Sequence, residues 1–193
     1  MKKKKKLKIM VSSTVYGRED DLAQIYGILS GYKYEVVMSK EGSLYVPAGA
    51  SAPESCLKAV EECDLFLGII FPRYGSGITH SEFKKAIELD KPRWFIAHQY
   101  VIFAKDILSQ YMFNKNGALN KSFKFKKTDI MDSADVVHMY NDAILNHIEP
   151  EERRSNWVQP FFHINEIFLF LETQFEPIEL RRSEIEKLKG IKK

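Results

Sequence analysis

The sequence predicts an α/β fold: a doubly wound, parallel, five-stranded sheet with helices on both faces and one extra helix at the C-terminal end. Strand-like and amphipathic helical segments alternate five times along the 193 residues, which is typical of parallel strands joined by helices. One segment, Leu65–Phe71, is a continuous apolar run, as expected of a strand covered on both faces. Because the connections are short, we expect right-handed crossovers and the flavodoxin-like strand order 2-1-3-4-5.

Five segments fit the strands of this sheet. Four of them are short and rich in apolar residues, and each is followed by a helical pattern, as in βαβ units. The fifth is assigned because Phe and Lys alternate in it, which is typical of a half-exposed edge strand. The predicted strands are Leu7–Val11, Tyr34–Met38, Leu65–Phe71, Arg93–Ala97 and Ser122–Lys126.

Six segments fit helices, because their apolar residues recur at spacings of three and four. Ser51 and Glu54 have the spacing of a capping box, and Pro53 lies in the turn between them. These residues therefore predict where the second helix begins. The predicted helices are Arg18–Ser30, Ser51–Glu62, Thr79–Leu89, Phe103–Phe113, Asp132–Asn146 and Trp157–Phe175.

Two of these helices have apolar faces that bear on packing. The fourth helix carries its large apolar residues on one face. The final helix has more apolar positions than one contact face needs, so we expect it to dock on the sheet domain or to form a dimer contact. The face of the fourth helix consists of Phe103, Ile107, Leu108 and Tyr111.

Charge divides the chain into an acidic body and two basic ends. The net charge is +3; Lys2–Lys6 contributes +5 and residues 180–193, with six Lys or Arg and two Glu, contribute +4, which leaves −6 for the body. An acidic body argues against a nucleic-acid groove, although a weak contact of the ends with an acidic partner is an alternative. We expect a domain over residues 7–146, a helical extension over 157–179, and flexible ends over 1–6 and 180–193.

Several classes of protein are excluded by what the sequence lacks. No apolar run is long enough to span a membrane and no signal-peptide pattern is present, so we expect no membrane association. Cys56 and Cys63 have neither metal-ligand spacing nor a disulfide framework, which favours a reducing cytoplasm. Rossmann, Walker A, nucleophile-elbow and zincin patterns are absent. We therefore expect no metal and no resident cofactor.

Polar residues follow the first and third predicted strands, at the sheet edge where α/β proteins bind ligands. The hydroxyls of Ser12, Ser13 and Thr14 can bind a phosphate or a ribose at the start of the next helix, or can act only as turn and cap residues. Arg73 suits a phosphate and Tyr74 a stacked base, unless both are solvated loop residues. The sequence thus predicts a candidate ligand site here.

Glu82 decides between a structural and a catalytic account of this edge. Thr79 and Glu82 have capping-box spacing, in which Glu82 would fold back onto the start of its helix. The same position would let a carboxylate face the cleft and stabilise an oxocarbenium-like centre. Asp64 opens the third strand, so we expect it at the opposite sheet edge in a structural role, and we expect His80 on the surface.

A set of short motifs, spread over roughly residues 7–146, resembles a known bacterial family. They are SSTVY at 12–16 with Arg18-Glu19, CDLFLGI at 63–69, RYGSG at 73–77, SEF at 81–83 with Ala86, and KP at 91–92. Together they resemble an SSTV-type domain of unknown function found at the amino end of STAND-type ATPases and in defence-associated proteins. That family is similar in turn to TIR domains and nucleoside 2-deoxyribosyltransferases.

The resemblance implies a TIR-like version of the flavodoxin-like fold with a cleft for a nucleotide or nucleoside. In enzymatic relatives a Glu on the helix after the third strand attacks or stabilises C1′ of the ribose as the base leaves, and Glu82 matches that position. In TIR enzymes the substrate is NAD⁺; the chain lacks the cysteine that often lies shortly before their catalytic Glu. The implied ligand-binding residues are Ser12, Ser13, Thr14, Arg73, Tyr74 and Gly75.

Two functions stay open at this point. The first is cleavage of an N-glycosidic bond, with NAD⁺ hydrolysis or cyclisation in bacterial defence as the leading case and Glu82 as the catalytic residue. The second is a non-catalytic, TIR-like module that senses a nucleotide or signals by self-association. In both cases we expect a nucleotide or nucleoside ligand and a homo-oligomer, with NAD⁺ as a possible substrate rather than a cofactor.

Overall fold

The protein is built around one parallel sheet. The computed structural model describes residues 5–114, 117–153 and 156–191. All neighbouring strands run parallel, and their order is β2-β1-β3-β4-β5. The predicted α/β class and strand order are therefore confirmed. The strands are β1 (Lys8–Ser13), β2 (Glu35–Val37), β3 (Leu65–Ile70), β4 (Arg93–His98) and β5 (Val158–Phe161).

Helices cover both faces of the sheet. One apolar core holds residues from α2, α3, α4 and α5, and the other holds residues from α1, α6 and α7. Since each face is covered, the central strand β3 is buried along its whole length, as its unbroken apolar run predicts. The helices are α1 (Glu19–Gly31), α2 (Ala52–Glu62), α3 (Ile78–Glu88), α4 (Gln99–Met112), α5 (Asp135–Ala143), α6 (Ile164–Phe175) and α7 (Ile178–Ile191), with a short 3-10 helix at Pro150–Glu152.

A glycine in the middle of β3 lets α3 approach the sheet. A Cβ atom on Gly68 would lie 2.6 Å from ring atoms of both Phe83 and Phe95. Those rings pack against each other with centroids 4.9 Å apart, and Phe66 meets Phe83 edge-on at 5.7 Å. This aromatic cluster fixes the position of α3, and α3 carries Glu82.

The second helix begins as predicted. Ser51 is the N-cap of α2, and its hydroxyl accepts a hydrogen bond from the Glu54 backbone N–H at 3.3 Å. The Glu54 carboxylate accepts in return from the Ser51 N–H at 2.9 Å. The capping box is therefore confirmed, and it satisfies two backbone donors that the helix itself cannot pair.

The prediction of the fifth strand at residues 122–126 is wrong, because another segment forms this strand. β5 is Val158–Phe161, inside the predicted final helix, and it pairs with β4 from Phe95 to His98. Pro160 explains the difference, because a residue without an N–H is tolerated in an edge strand and interrupts a helix. Residues 122–126 form an irregular segment whose Phe side chains pack on the core while the intervening Lys124 is exposed.

The basic C-terminal end is also more ordered than its composition suggested. Residues 178–191 form α7, which buries Ile185 and places the Arg181 guanidinium 4.5 Å above the Trp94 ring. The guanidinium of Arg182 donates to the Lys5 carbonyl at 2.8 Å, so the two basic ends meet. Residues 1–4 and 192–193 lie outside the described residues. Within the described chain, no helix is both long and apolar enough to cross a membrane.

Candidate functional site

The candidate site lies at the C-terminal edge of the sheet, where β1 and β3 end side by side. The parallel register sets Ser12 beside Gly68 and Ser13 beside Ile69. The segments that follow these strands therefore emerge together and border a cavity of about 510 Å³. Three of the predicted ligand-binding residues lie there. The cavity is lined by Thr14, Tyr16, Arg73, Gly75, Lys127, Thr128, Asp129 and Asp132.

The turn after β3 is held in place by Asp132. Its carboxylate accepts hydrogen bonds from the backbone N–H groups of Tyr74, at 2.7 Å, and Gly75, at 3.1 Å. Partial burial raises the pKa of Asp132, but these two hydrogen bonds outweigh it and the pKa ends below its usual value. Thr14 adds a second tie, because its hydroxyl donates to the Arg73 carbonyl at 2.9 Å. The cavity thus has a fixed wall.

Arg73 and Tyr16 give the cavity its recognition chemistry. The Arg73 guanidinium donates to the Asp129 carbonyl at 3.0 Å and lies 5.4 Å from the centroid of the Tyr16 ring. The Tyr16 side chain is 72% exposed, so one face of its ring is free to stack on a planar ligand. Lys127 adds a second cation to the lining. A guanidinium, an ammonium and an open aromatic ring suit an anionic ligand with a planar group.

Glu82 lies below this cavity, in the layer between α3 and the sheet. Glu82 is only 4% exposed, and its carboxylate accepts a hydrogen bond from the Ser12 hydroxyl. The buried thiol of Cys56, on α2, is a second hydrogen-bond partner. Burial raises the pKa of Glu82, and these two hydrogen bonds offset the rise only in part. Burial and the Glu82 carboxylate likewise raise the pKa of Cys56, to about 12, so this cysteine is a thiol.

Glu82 does not cap its helix, so the capping-box alternative for this residue is wrong. Helix α3 begins at Ile78, and its N-cap is Gly77, which has a left-handed backbone and no side-chain cap. Glu82 therefore lies in the second turn, past the position from which a side chain folds back. It does not face the open cavity either: neither Glu82 nor Ser12 belongs to the lining. The carboxylate instead points at the end of β1.

Tyr74 and His80 form a second buried polar group, contrary to the expected surface position of His80. His80 is 6% exposed, and its Nε2 lies 2.7 Å from the Asp142 carboxylate on α5. Because a carboxylate only accepts, Nε2 donates, which leaves Nδ1 to face the Tyr74 hydroxyl at 2.9 Å. Tyr74 thus points away from the cavity lining and ties the turn to α5. Lys84 approaches the same Asp142 carboxylate at 3.5 Å.

The remaining predicted residues have structural positions. Ser13 shares a sheet face with Ile9 and Val11, opposite to Ser12, and its hydroxyl bonds the Thr14 carbonyl at 3.3 Å. Asp64 lies at the other end of the strands, where its carboxylate accepts from the Lys8 N–H at 3.0 Å. Its expected place at the opposite edge of the sheet is confirmed.

Sequence reasoning missed six residues of this region. Lys127, Thr128, Asp129 and Asp132 belong to an irregular segment that reaches the cavity from more than 50 residues away along the chain. The sequence shows Tyr16 only as part of a motif and gives Cys56 no role in the site. The long-range approach of α2 to α3 brings Cys56 to Glu82, and no local pattern reports such an approach. Among these residues, Tyr16 alone has a local signal in the sequence: it ends the SSTVY motif, four residues after Ser12.

The fold and the site define an α/β domain with a ligand-sized cavity at the C-terminal edge of its sheet and a buried carboxyl group beneath it. The chain belongs to the family described as "Domain of unknown function (DUF4062)", whose match covers residues 8–154. That match includes β1 to β4 and ends before β5. No curated protein matches the chain.

Two solved structures resemble the protein distantly. A conserved protein from Enterococcus faecalis V583 is 13% identical, with a TM-score of 0.39, and the match covers 88% of this chain and 99% of that one. A 2-desoxiribosyltransferase from Leishmania mexicana is 15% identical, with a TM-score of 0.33, and the match covers 72% of this chain and 97% of that one.

Proposed function

We propose that the protein binds a nucleotide or nucleoside at the C-terminal sheet edge and cleaves its N-glycosidic bond, with Glu82 as the catalytic residue. The burial of the Glu82 carboxyl group without a countercharge carries this proposal. Within the described chain, the influences on its pKa are burial, Ser12 and Cys56, and no cation is among them. A buried carboxylate without a cation weakens the fold, so a role in chemistry is the more economical explanation for an ionisable group here.

The cavity lining supports a nucleotide as the ligand. Arg73 and Lys127 offer charge for phosphates, and Tyr16 offers a ring for a base. Thr14 and Thr128 offer hydroxyls for a ribose. NAD⁺ is the first substrate to test, and it comes, like a place in bacterial defence, from the resemblance of the sequence motifs alone.

The reaction requires Glu82 to reach C1′ of the bound ribose. The bond to the base breaks with its electron pair going to the base, and the Glu82 carboxylate stabilises the positive charge that develops at C1′. Water then adds to C1′ and gives its proton to Glu82. Glu82 is closed off in the structure, since it is 4% exposed and does not line the cavity. Ligand binding must therefore release the Ser12 hydrogen bond and open a path from the cavity to the carboxyl group.

The test is NAD⁺ turnover at high protein concentration, followed by chromatography of released nicotinamide. We expect Glu82→Gln to lose at least about 100-fold in rate, the scale of a lost catalytic group. Glu88→Gln is the matched control, because Glu88 is an exposed carboxylate on the same helix. A panel of nucleosides and deoxynucleosides runs beside NAD⁺. Release of base at equal rates by the wild type and Glu82→Gln, or no release from any compound, contradicts the catalytic proposal.

A second function is favoured by a specific observation on α4. A non-catalytic module needs a surface for self-association, and α4 presents an exposed apolar stripe. In that case Glu82, Ser12 and Cys56 are a polar cluster of the core, and the cavity is a sensing site or has no ligand. Ligand binding without base release, unaffected by Glu82→Gln, separates this function from the enzyme.

A further inference from the structure

Helix α4 exposes a row of large apolar side chains that the core does not use. Its buried positions are Val101 and Met112. The sequence places Phe103, Ile107 and Tyr111 on one face of the helix, and the structure leaves all three exposed. Spacings of three, four and four residues place the row on one side of the helix. We call it the α4 stripe: Tyr100 (43% exposed), Phe103 (65%), Ile107 (44%) and Tyr111 (56%).

The stripe continues beyond the helix. The ring of Tyr100 meets that of Phe162 edge-on at 5.5 Å, and Phe162 is itself 39% exposed. If a fully exposed aromatic side chain offers roughly 200 Å², the five side chains together expose roughly 500 Å² of apolar surface. A patch of this size is in the range of the largest one on a typical monomer, about 300–600 Å², which is often functional.

We propose that a second copy of this chain covers the α4 stripe, with the two α4 helices antiparallel across a twofold axis. The spacing of the stripe is close to palindromic about residues 105 and 106. An antiparallel pair centred there sets Tyr100 level with Tyr111 of the second copy and Phe103 within one residue of Ile107 of the second copy. Such self-complementarity is what a twofold interface requires, and a different protein partner would not impose it.

The charges of α4 do not oppose this arrangement. Within the helix, Lys105 and Asp106 are the charged residues, and they pair with each other at 3.3 Å. Lys105 is two residues from both Phe103 and Ile107, so the helical turn places it on the opposite side of α4 from the stripe. Lys105 therefore stays out of the contact between the two stripes. The pairing is independent of whether Glu82 is catalytic.

The area of the stripe sets the expected strength of the dimer. Two stripes bury roughly 1,000 Å² in total, which is near the lower limit for specific protein interfaces. We therefore expect a reversible dimer with a dissociation constant of about 10–100 µM rather than an obligate one.

The experiment is sedimentation of the full-length chain over a concentration series that brackets this range. We expect the wild type to pass from monomer to dimer, and Phe103→Glu to remain monomeric at about ten times the wild-type midpoint. Leu169→Glu is the matched control: Leu169 is 63% exposed on α6, close to the 65% of Phe103, and its variant should dimerise like the wild type. Far-UV circular dichroism checks that both variants are folded.

A complementary pair of variants tests the register. Phe103→Lys and Ile107→Asp should each self-associate weakly, and an equimolar mixture should form a heterodimer more tightly, because one Lys then faces one Asp while the second contact stays native. Three outcomes overturn the proposal: a wild type that is monomeric throughout, a dimer insensitive to Phe103→Glu, or Leu169→Glu weakening it equally. A stripe-dependent dimer without the preferred heterodimer overturns the antiparallel register.

Discussion

At the scale of single residues, Glu82 is a buried ionisable group, and no cation of the described chain is among the influences on its pKa. Its neighbours, the Ser12 hydroxyl and the Cys56 thiol, both donate, so the carboxyl group is satisfied as an acceptor and lacks a compensating charge. Burial disfavours the ionised form of the carboxyl group and so raises its pKa, and the two hydrogen bonds offset this rise only in part. The thiol side of this cluster does not ionise, since the pKa of Cys56 is raised to about 12.

The first prediction follows from the sign of this shift. Because the pKa of Glu82 is raised in the folded state, its contribution to stability is full below pH 4.5, the ordinary value, and is lost as pH rises through the folded-state pKa. Glu82→Gln removes that loss. We expect the variant to match the wild type below pH 4.5 and to be more stable at neutral pH. The gain should be about 0.5–2 kcal/mol, the usual scale of a stabilising substitution.

Urea unfolding at a series of pH values measures this difference in stability. Glu88→Gln should show the same difference from the wild type at low and at neutral pH. A Glu82→Gln variant that is less stable at neutral pH would mean that the ionised carboxylate supports the fold, which would remove the main argument for catalysis. If the variant is more stable and also inactive, the Glu82 side chain lowers the stability of the fold while supporting activity.

A second residue-scale prediction concerns Gly68. Gly68→Ala places a methyl group 2.6 Å from two aromatic rings, so α3 must shift or the rings must leave their rotamers. We expect a loss of about 1–3 kcal/mol in the free energy of unfolding. Gly27→Ala is the control, since Gly27 is an exposed position of α1 where a Cβ meets nothing within 4 Å, and it should be neutral or stabilising. Equal effects of the two substitutions would contradict the packing account.

At the scale of elements, local signals predicted most of the fold and long-range contacts decided the rest. Four strands and the capping box of α2 are readable because period, apolar runs and caps are local properties. β5 is not, because Val158–Phe161 is a strand only by pairing with β4. The same limit applies to the site: Thr14, Arg73 and Gly75 were found from their place after two strands, whereas Cys56 and Lys127 arrive through tertiary contacts.

The turn after β3 supports a prediction at this scale. Asp132 holds it through the N–H groups of Tyr74 and Gly75, so Asp132→Ala should leave both donors without their partner. We expect faster hydrogen exchange at these two amides, by at least about fivefold, since one lost hydrogen bond is worth about 1 kcal/mol or more. Asp129→Ala is the control, because Arg73 uses the backbone carbonyl of Asp129 and not its side chain. Unchanged exchange in Asp132→Ala would show that the turn is held by other contacts.

The lowered pKa of Asp132 adds a pH dependence with the opposite sign to that of Glu82. A carboxyl group with a lowered folded-state pKa stabilises the fold above its ordinary value of 3.8, and this stabilisation is lost as pH falls through the folded-state pKa. The turn should therefore loosen in acid, where Glu82 favours the folded state. Protection of the Tyr74 and Gly75 amides at low pH measures it, and protection that persists in acid would contradict the role given to Asp132.

At the scale of the whole molecule, the C-terminal residues complete the structure that the family match begins. The match ends at residue 154, yet β5, α6 and α7 supply the edge strand and part of one core. α7 covers this core from outside: Ile185 is 2% exposed, and Arg181 lies 4.5 Å from the Trp94 ring and 5.9 Å from the Phe175 ring. Its basic composition therefore conceals a packing role, because the stems of Arg side chains cover apolar surface while their charges stay accessible.

Removal of α7 tests that role. A chain ending at residue 177 loses the burial of Ile185 and the cation–π contacts of Arg181, so we expect it to fold with a free energy of unfolding lower by about 3 kcal/mol. A chain ending at Leu188 is the control, since it keeps Arg181, Glu184 and Ile185, and it should differ from the full chain by less than about 0.5 kcal/mol. Urea unfolding followed by Trp fluorescence is the appropriate measurement because Trp94 lies beneath Arg181. Equal stability of the two truncated chains would mean that α7 is a solvated appendage, as the charge pattern alone had indicated.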